Sequence, residues 1–168
     1  ADCLAACGGS AGGHLSLMLG LTANRPELED LSLGCAEYSS AVQAVVDWFG
    51  PTDFLQMDAQ LRAAGLGPCD HNEPDSPESK YLGAVITQIP ERVVLSNPIT
   101  YIHEAIPPIL IQHGDRDHLV PCGQSEILYQ AILERVGGAS VIFEILDGAD
   151  HAAPLFNTPE NMDRVLRF

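Results

Sequence analysis

The sequence has little positive charge and no long apolar run. It carries 8 Lys and Arg residues against 23 Asp and Glu residues, which gives a formal net charge of −15 over 168 residues. Nucleic acids and anionic membrane surfaces are polyanions, so neither is an expected partner. No apolar stretch reaches the roughly 18 residues of a membrane-spanning helix. The length predicts a single domain over residues 1–168, of ordinary globular composition.

Short patterns that would indicate a metal or nucleotide site are also missing. The five cysteines form no Cys-x-x-Cys pair, so their spacing predicts no zinc site. Cys3 and Cys7 are expected to be small core residues of a buried strand, and a disulfide between Cys35 and Cys69 stays open. A P-loop would need Gly-Lys-Ser or Gly-Lys-Thr, which does not occur. A basic segment followed by an apolar one is absent as well, so no signal peptide is visible.

The most informative stretch is Gly8-Gly9-Ser10-Ala11-Gly12, between a short apolar run and a helix-like run. Gly-x-Ser-x-Gly in that setting is typical of a nucleophile elbow, a sharp strand-to-helix turn that exposes the serine hydroxyl. Glycines are expected on both sides because a Cβ there would collide with the neighbouring strand or helix. The pattern therefore predicts Ser10 as a nucleophile, with a flexible glycine-rich turn as the alternative.

Strand-like and helix-like segments alternate along the chain. Short apolar runs ended by turn residues predict four buried parallel strands, which are Cys3–Cys7, Ala44–Phe49, Ile109–Gln112 and Val141–Leu146. Helices are predicted from Ala11 to Leu21, from Gln124 to Val136, and from Pro159 to the C-terminus with Thr158 as N-cap. This order predicts an α/β fold with a mostly parallel sheet flanked by helices. Residues 53–106 interrupt the order and are interpreted either as a lid-like insert or as a structural excursion.

A serine nucleophile needs a general base, and the base needs an orienting carboxylate. Among the six histidines, His151 follows the last predicted strand through a turn, at the sheet edge where open α/β sheets bind ligands. Two carboxylates follow the third strand. Asp115 is expected to bond turn backbone groups, whereas Asp117 lies further out, where a histidine can meet it.

With these segments located, the chain resembles the α/β-hydrolase esterases, especially bacterial carboxylesterases and acetylxylan or feruloyl esterase-like enzymes. The matching stretches follow the family order over nearly the whole chain: Gly8–Leu15, Val46–Asp53, Ser96–Ile102, Pro107–Asp117 and Gly148–His151. The resemblance implies Ser10 as nucleophile, Asp117 as acid and His151 as base, with no metal or organic cofactor. It further implies the amide of Ala11 as an oxyanion donor, and substrate contacts at Gly9, Trp48 and Phe49.

The chain departs from this family ahead of the serine. Family members carry further strands there and a His-Gly-Gly loop that supplies other oxyanion donors, whereas no His-Gly-Gly occurs in this sequence. The chain therefore resembles the C-terminal part of such an enzyme, a truncated α/β-hydrolase fold that lacks the N-terminal strands. Strand Cys3–Cys7 would then be an apolar edge, so the expected partners are a second copy or a complementing N-terminal half.

The resemblance implies hydrolysis of short-chain carboxylic esters, including acetyl or feruloyl esters of plant polysaccharide, through an acyl-enzyme. Two alternatives stay open. One is a peptidase related to prolyl oligopeptidase, which shares the fold and the order of the three residues. The other is a catalytically impaired chain that acts in assembly.

Overall fold

The computed structural model describes residues 3–23 and 25–168. Its sheet has four strands in the order β1-β2-β3-β4, and each neighbouring pair is parallel. The strands are β1 (Ala5–Gly9), β2 (Ala44–Trp48), β3 (Ile109–Gly114) and β4 (Val141–Leu146). The predicted α/β class with a parallel sheet is therefore confirmed.

Helices connect and cover these strands. They are α1 (Ala11–Thr22), α2 (Phe54–Ala64), α3 (Pro77–Leu82), α4 (Pro90–Ser96), α5 (Gly123–Arg135) and α6 (Pro159–Arg167). The side chain of Thr158 accepts a hydrogen bond from the amide of Asn161, which confirms it as the N-cap of α6. In the described residues, none of the helices combines the length and apolarity needed to cross a bilayer.

The main core lies between one face of the sheet and helices α1 and α5. Strand β3 is buried along its whole length, as expected for an inner strand of a parallel sheet. A second apolar cluster fixes the segment 53–106 to the rest of the chain and includes Phe54, Met57, Ile86, Val93 and Val120. This segment thus has an ordered core of its own, and three helices run through it.

The expectation that Cys3 and Cys7 are core residues is wrong. Both are exposed, because β1 is an edge strand of the described sheet and its helix α1 covers only one face. All five cysteines are free, so Cys35 and Cys69 form no disulfide.

Candidate active site

Ser10 lies in the one-residue turn between β1 and α1. Its φ of 57° and ψ of −124° place it in a backbone conformation that residues with a side chain rarely adopt. Its amide donates a hydrogen bond to the carbonyl oxygen of Trp48 at 2.9 Å, which ties the turn to the end of β2. The turn has the geometry of a nucleophile elbow, with the side chain projected from the carboxyl edge of the sheet.

Close backbone packing explains only some of the glycines around Ser10. A Cβ on Gly8 would lie 2.4 Å from the carbonyl carbon of Gly12, and one on Gly13 would lie 2.3 Å from Oδ1 of Asp47. A Cβ on Gly12 would meet no atom within 4 Å. The expectation of steric crowding is therefore right for Gly8 and wrong for Gly12, because the α1 turn at position 12 faces open space.

The structure brings the three predicted residues together. Nε2 of His151 lies 3.1 Å from Oγ of Ser10, and Nδ1 of His151 lies 2.7 Å from Oδ2 of Asp117. An ionised carboxylate can only accept, so Nδ1 carries the hydrogen and the lone pair of Nε2 faces the serine hydroxyl. In this geometry the imidazole can take the hydroxyl proton of Ser10.

Asp117 is buried at the end of β3 and heavily hydrogen-bonded. Its Oδ1 accepts the amides of Leu119 and Val120 at 2.9 and 2.8 Å. Burial alone would raise its pKa, but hydrogen bonds from His113 and His151, with the charges these rings can carry, outweigh burial and hold the pKa of Asp117 well below its usual range. The carboxylate is thus kept ionised and aimed at His151.

His113 is a second histidine at this carboxylate that sequence reasoning missed. It is fully buried, with Nε2 at 2.8 Å from the carbonyl oxygen of Val120 and 3.4 Å from Oδ2 of Asp117. Nδ1 lies 2.7 Å from Oγ of Ser125 on α5. Since a carbonyl oxygen only accepts, Nε2 carries the hydrogen and donates to Val120, with the carboxylate of Asp117 next to it.

A second histidine–aspartate pair, His118 and Asp150, lies beside the pair of His151 and Asp117. His118 and Asp150 each adjoin a member of the pair Asp117–His151 in sequence, and Nδ1 of His118 lies 2.5 Å from Oδ1 of Asp150. The same oxygen accepts the amides of His118 at 3.2 Å and of His151 at 2.6 Å. Two histidine–aspartate hydrogen bonds therefore join the loops after β3 and β4, and each loop supplies one histidine and one aspartate. Asp115 adds a further link by accepting the amide of Gly148 at 2.6 Å, which confirms its predicted structural role.

Phe49 packs against the histidine that faces Ser10. Its φ is 45°, it is 4% exposed, and its ring centroid lies 4.7 Å from that of His151 and 4.5 Å from that of Phe156. Gly9 approaches it so closely that a Cβ would lie 2.8 Å from the Phe49 ring. Trp48 contributes its carbonyl to the Ser10 turn. Contact of substrate with Gly9, Trp48 and Phe49 stays a prediction.

A cleft of about 170 Å³ opens beside the start of α1. One wall consists of Ala11, His14 and Leu15, and the other includes Phe54 and Tyr81 from the segment 53–106. The amide of Ala11 belongs to the first turn of α1, where no intrahelical acceptor is available. It is thus free to donate to an anion formed at Ser10.

Comparisons with known proteins identify a matching family and several relatives. The BD-FAE family model matches residues 1–132. The esterase LipQ of Mycobacterium tuberculosis is 31% identical over 157 residues, which are 94% of this chain and 34% of LipQ. This chain spans between a third and two fifths of the length of the curated relatives that it matches.

Two solved structures share the fold over most of this chain. A truncated form of a carbohydrate esterase from gut microbiota superposes with a TM-score of 0.78 at 32% identity, over 96% of this chain and 56% of that one. A bifunctional GH43-CE protein of Bacteroides eggerthii gives a TM-score of 0.79 at 28% identity, over 96% of this chain and 21% of that one.

Proposed function

Since this chain belongs to the BD-FAE family and has an α/β-hydrolase fold, we propose that it hydrolyses carboxylic esters with Ser10 as nucleophile. The observation that carries the proposal is the continuous contact from Oγ of Ser10 through His151 to Asp117, at 3.1 and 2.7 Å. Each neighbour has the hydrogen-bond role that activation of a serine requires.

The reaction follows from these positions. Oγ of Ser10 attacks the ester carbonyl carbon while its proton passes to Nε2 of His151, and Asp117 stabilises the resulting imidazolium. The amide of Ala11 donates to the oxygen that becomes negative. His151 then gives its proton to the departing alkoxide, which leaves an acyl group on Ser10. A water molecule attacks this acyl-enzyme, loses its proton to His151 and releases the acid as Ser10 is reprotonated.

We further assign the substrates to short-chain esters, with acetyl or feruloyl groups on plant polysaccharide as the specific class. The likeness to a carbohydrate esterase supports that class. So does the cleft beside Ala11, whose lining is largely apolar and aromatic and suits a small acyl group or a ring.

Hydrolysis of p-nitrophenyl acetate and butyrate tests the proposal. Ser10→Ala should lower the rate of the wild-type chain by at least about 10³-fold, because no other group replaces the nucleophile. Ser32→Ala is the matched control, since Ser32 is exposed and lies outside the site. Equal rates for wild type and Ser10→Ala would contradict the proposal.

We also propose that the free edge of β1 pairs with a further strand, from a second copy of the chain or from an N-terminal half. The carbonyl of Leu4 and the amide of Ser10 both bond toward β2. Because backbone groups alternate along a strand, the amides of Ala5, Cys7 and Gly9 point to the opposite side, where no described strand lies. An unpaired apolar edge of this kind readily accepts another strand.

A further inference from the structure

His113 is a buried polar group that the proposed reaction does not use. It lies near the carboxyl end of β3 and is fully buried. Nδ1 of its ring lies 2.7 Å from Oγ of Ser125, and Nε2 lies 2.8 Å from the carbonyl oxygen of Val120. A buried polar group whose partners are all satisfied makes its surroundings rigid. The ring of His113 is therefore suited to fix the positions of these two neighbours.

The direction of each hydrogen bond follows from what its partner can do. A carbonyl oxygen only accepts, so the hydrogen of the neutral ring is on Nε2 and is donated to Val120. Nδ1 then carries the lone pair and accepts the hydroxyl hydrogen of Ser125. Ser125 is itself fully buried on α5. One ring thus connects β3, the helix α5 and the loop that follows β3.

Val120 joins this ring to the acid of the site. Its carbonyl oxygen accepts from His113, and its amide donates to Oδ1 of Asp117 at 2.8 Å. Oδ2 of the same carboxylate lies 2.7 Å from Nδ1 of His151 and 3.4 Å from Nε2 of His113. A displacement of Val120 would therefore turn the whole carboxylate relative to the ring of His151.

We propose that His113 is a positioning residue for the hydrolysis, because it holds the loop after β3 in the form that aims the carboxylate of Asp117 at His151. The assignment rests on the proposed function of Ser10. In the hydrogen-bond network of the described residues, His113 is joined to Ser125 and Val120 and not to Ser10. It handles no proton of the reaction, and its effect on the rate passes through the carboxylate.

Two variants of equal side-chain length test this role with p-nitrophenyl butyrate. His113→Gln keeps an N–H donor that can reach the carbonyl of Val120, whereas His113→Met has no donor. His113→Met should lower kcat by about 10- to 100-fold at nearly unchanged KM, because a displaced base loses much of the rate. His113→Gln should restore most of the lost kcat. His103→Met is the matched control, because His103 lies beside Pro107 at the opposite edge of the sheet, and it should keep the wild-type kcat.

The tautomer of His151 gives a second readout that needs no hydrolysis. While Asp117 faces Nδ1, the hydrogen of the neutral ring stays on Nδ1, and the ¹⁵N chemical shifts of the two ring nitrogens report its place. His113→Met should move part of the population to the Nε2 tautomer, and His113→Gln should keep the wild-type shifts. Ser125→Ala leaves the ring of His113 with one partner and should give a smaller change in the same direction. It also tests the proposal if His113→Met does not fold.

Three kinetic results would overturn the proposal: wild-type kcat in His113→Met, equal losses in the Gln and Met variants, or a rise in KM at constant kcat. An unchanged tautomer of His151 in both His113→Met and Ser125→Ala would also overturn it, because His113 would then only fill the core. Loss of ester hydrolysis in Ser10→Ala is measured separately, and the tautomer does not depend on turnover. Failure of the positioning proposal is therefore distinguishable from failure of the proposed hydrolysis.

Discussion

At the scale of single residues, two carboxylates hold different parts of His151. Asp117 bonds its ring at 2.7 Å, and Asp150 bonds its backbone amide at 2.6 Å while also holding His118. The ring is thus oriented by one acid and the loop that carries it is positioned by the other. A small displacement of a base from its nucleophile costs much of the rate.

Asp150→Ala should therefore lower kcat for p-nitrophenyl butyrate by about 10- to 100-fold, with KM nearly unchanged. The reason is loss of the bonds that position His151, since Asp150 itself touches neither Ser10 nor Asp117 in the hydrogen-bond network. Asp147→Ala, at an exposed position of the same turn, is the control and should keep the wild-type kcat. Equal kcat values for the two variants would contradict a positioning role.

Asp47 is a buried acid beneath the Ser10 turn. It is fully buried, its Oδ1 accepts the amide of Gly50 at 3.0 Å, and its Oδ2 has no partner among the described residues. Burial raises the pKa of Asp47 to about 7, although His113 and the Gly50 amide act in the opposite direction. The folded chain therefore holds this proton at pH values where the unfolded chain has lost it.

The free energy of unfolding should fall as pH rises from about 4 to about 7, by roughly 4 kcal/mol from Asp47 alone. The low pKa of Asp117 acts with the opposite sign, but only at more acidic pH. Asp47→Asn cannot ionise, so urea titrations should show the variant gaining stability relative to wild type between pH 5 and pH 8. Asp75→Asn, at an exposed site, is the control. A constant difference between Asp47→Asn and wild type would contradict the raised pKa.

At the scale of elements, the turn from β1 to α1 requires the absence of a side chain at only one of the two glycine positions of its motif. A Cβ on Gly8 would lie 2.4 Å from the backbone of Gly12, which is closer than a real Cβ approaches, whereas a Cβ on Gly12 would meet no atom within 4 Å. The two glycines of Gly-x-Ser-x-Gly thus differ in what they can be replaced by.

Gly8→Ala should destabilise the chain by about 2–4 kcal/mol, because backbone atoms must move to admit the methyl group. Gly12→Ala, the matched control, should be neutral or stabilising by up to about 1 kcal/mol, since alanine is the better helix former. Thermal or urea unfolding of the two variants measures the difference. Similar losses for both would contradict the packing described for the turn.

Element types were predictable from the sequence where one local signal decided them. Val141–Leu146 is a short apolar run between turn residues, and the structure has a strand over the same residues. The exposure of Cys7 was not predictable in this way, since it depends on which strands and helices lie beside β1. The proximity of Ser10, Asp117 and His151 followed from chain order and the carboxyl edge of the sheet. His113 and Asp150 were missed because their contacts depend on loop conformations that carry no local pattern.

At the scale of the whole molecule, charge opposes the strand pairing proposed for β1. Two copies of a chain with a net charge of −15 repel each other, and salt shortens the range of that repulsion from about 10 Å at 0.1 M to about 3 Å at 1 M. Association through the edge of β1 should therefore strengthen as ionic strength rises. The hydrogen bonds that join the two strands act only over short distances.

Light scattering should show wild-type association that strengthens between 20 and 500 mM NaCl. Cys7→Pro removes an amide from the free edge of β1 and should stay monomeric at both salt concentrations, because proline is tolerated in edge strands but cannot donate. Cys7→Ser keeps the amide and is the matched control. A wild-type chain that is monomeric throughout, or a Cys7→Pro variant that associates equally, would contradict pairing through this edge.

The hydrogen bond between Ser10 and His151 joins residues that are 141 positions apart in a chain of 168. Every strand pair in between is parallel and needs a crossover, so the sheet forms through non-local contacts and folding is expected to be slow. During that time the serine has no base beside it and reacts like any other alcohol. Recovery of the proposed hydrolysis after dilution from denaturant should therefore report when the loop that carries His151 docks beside Ser10.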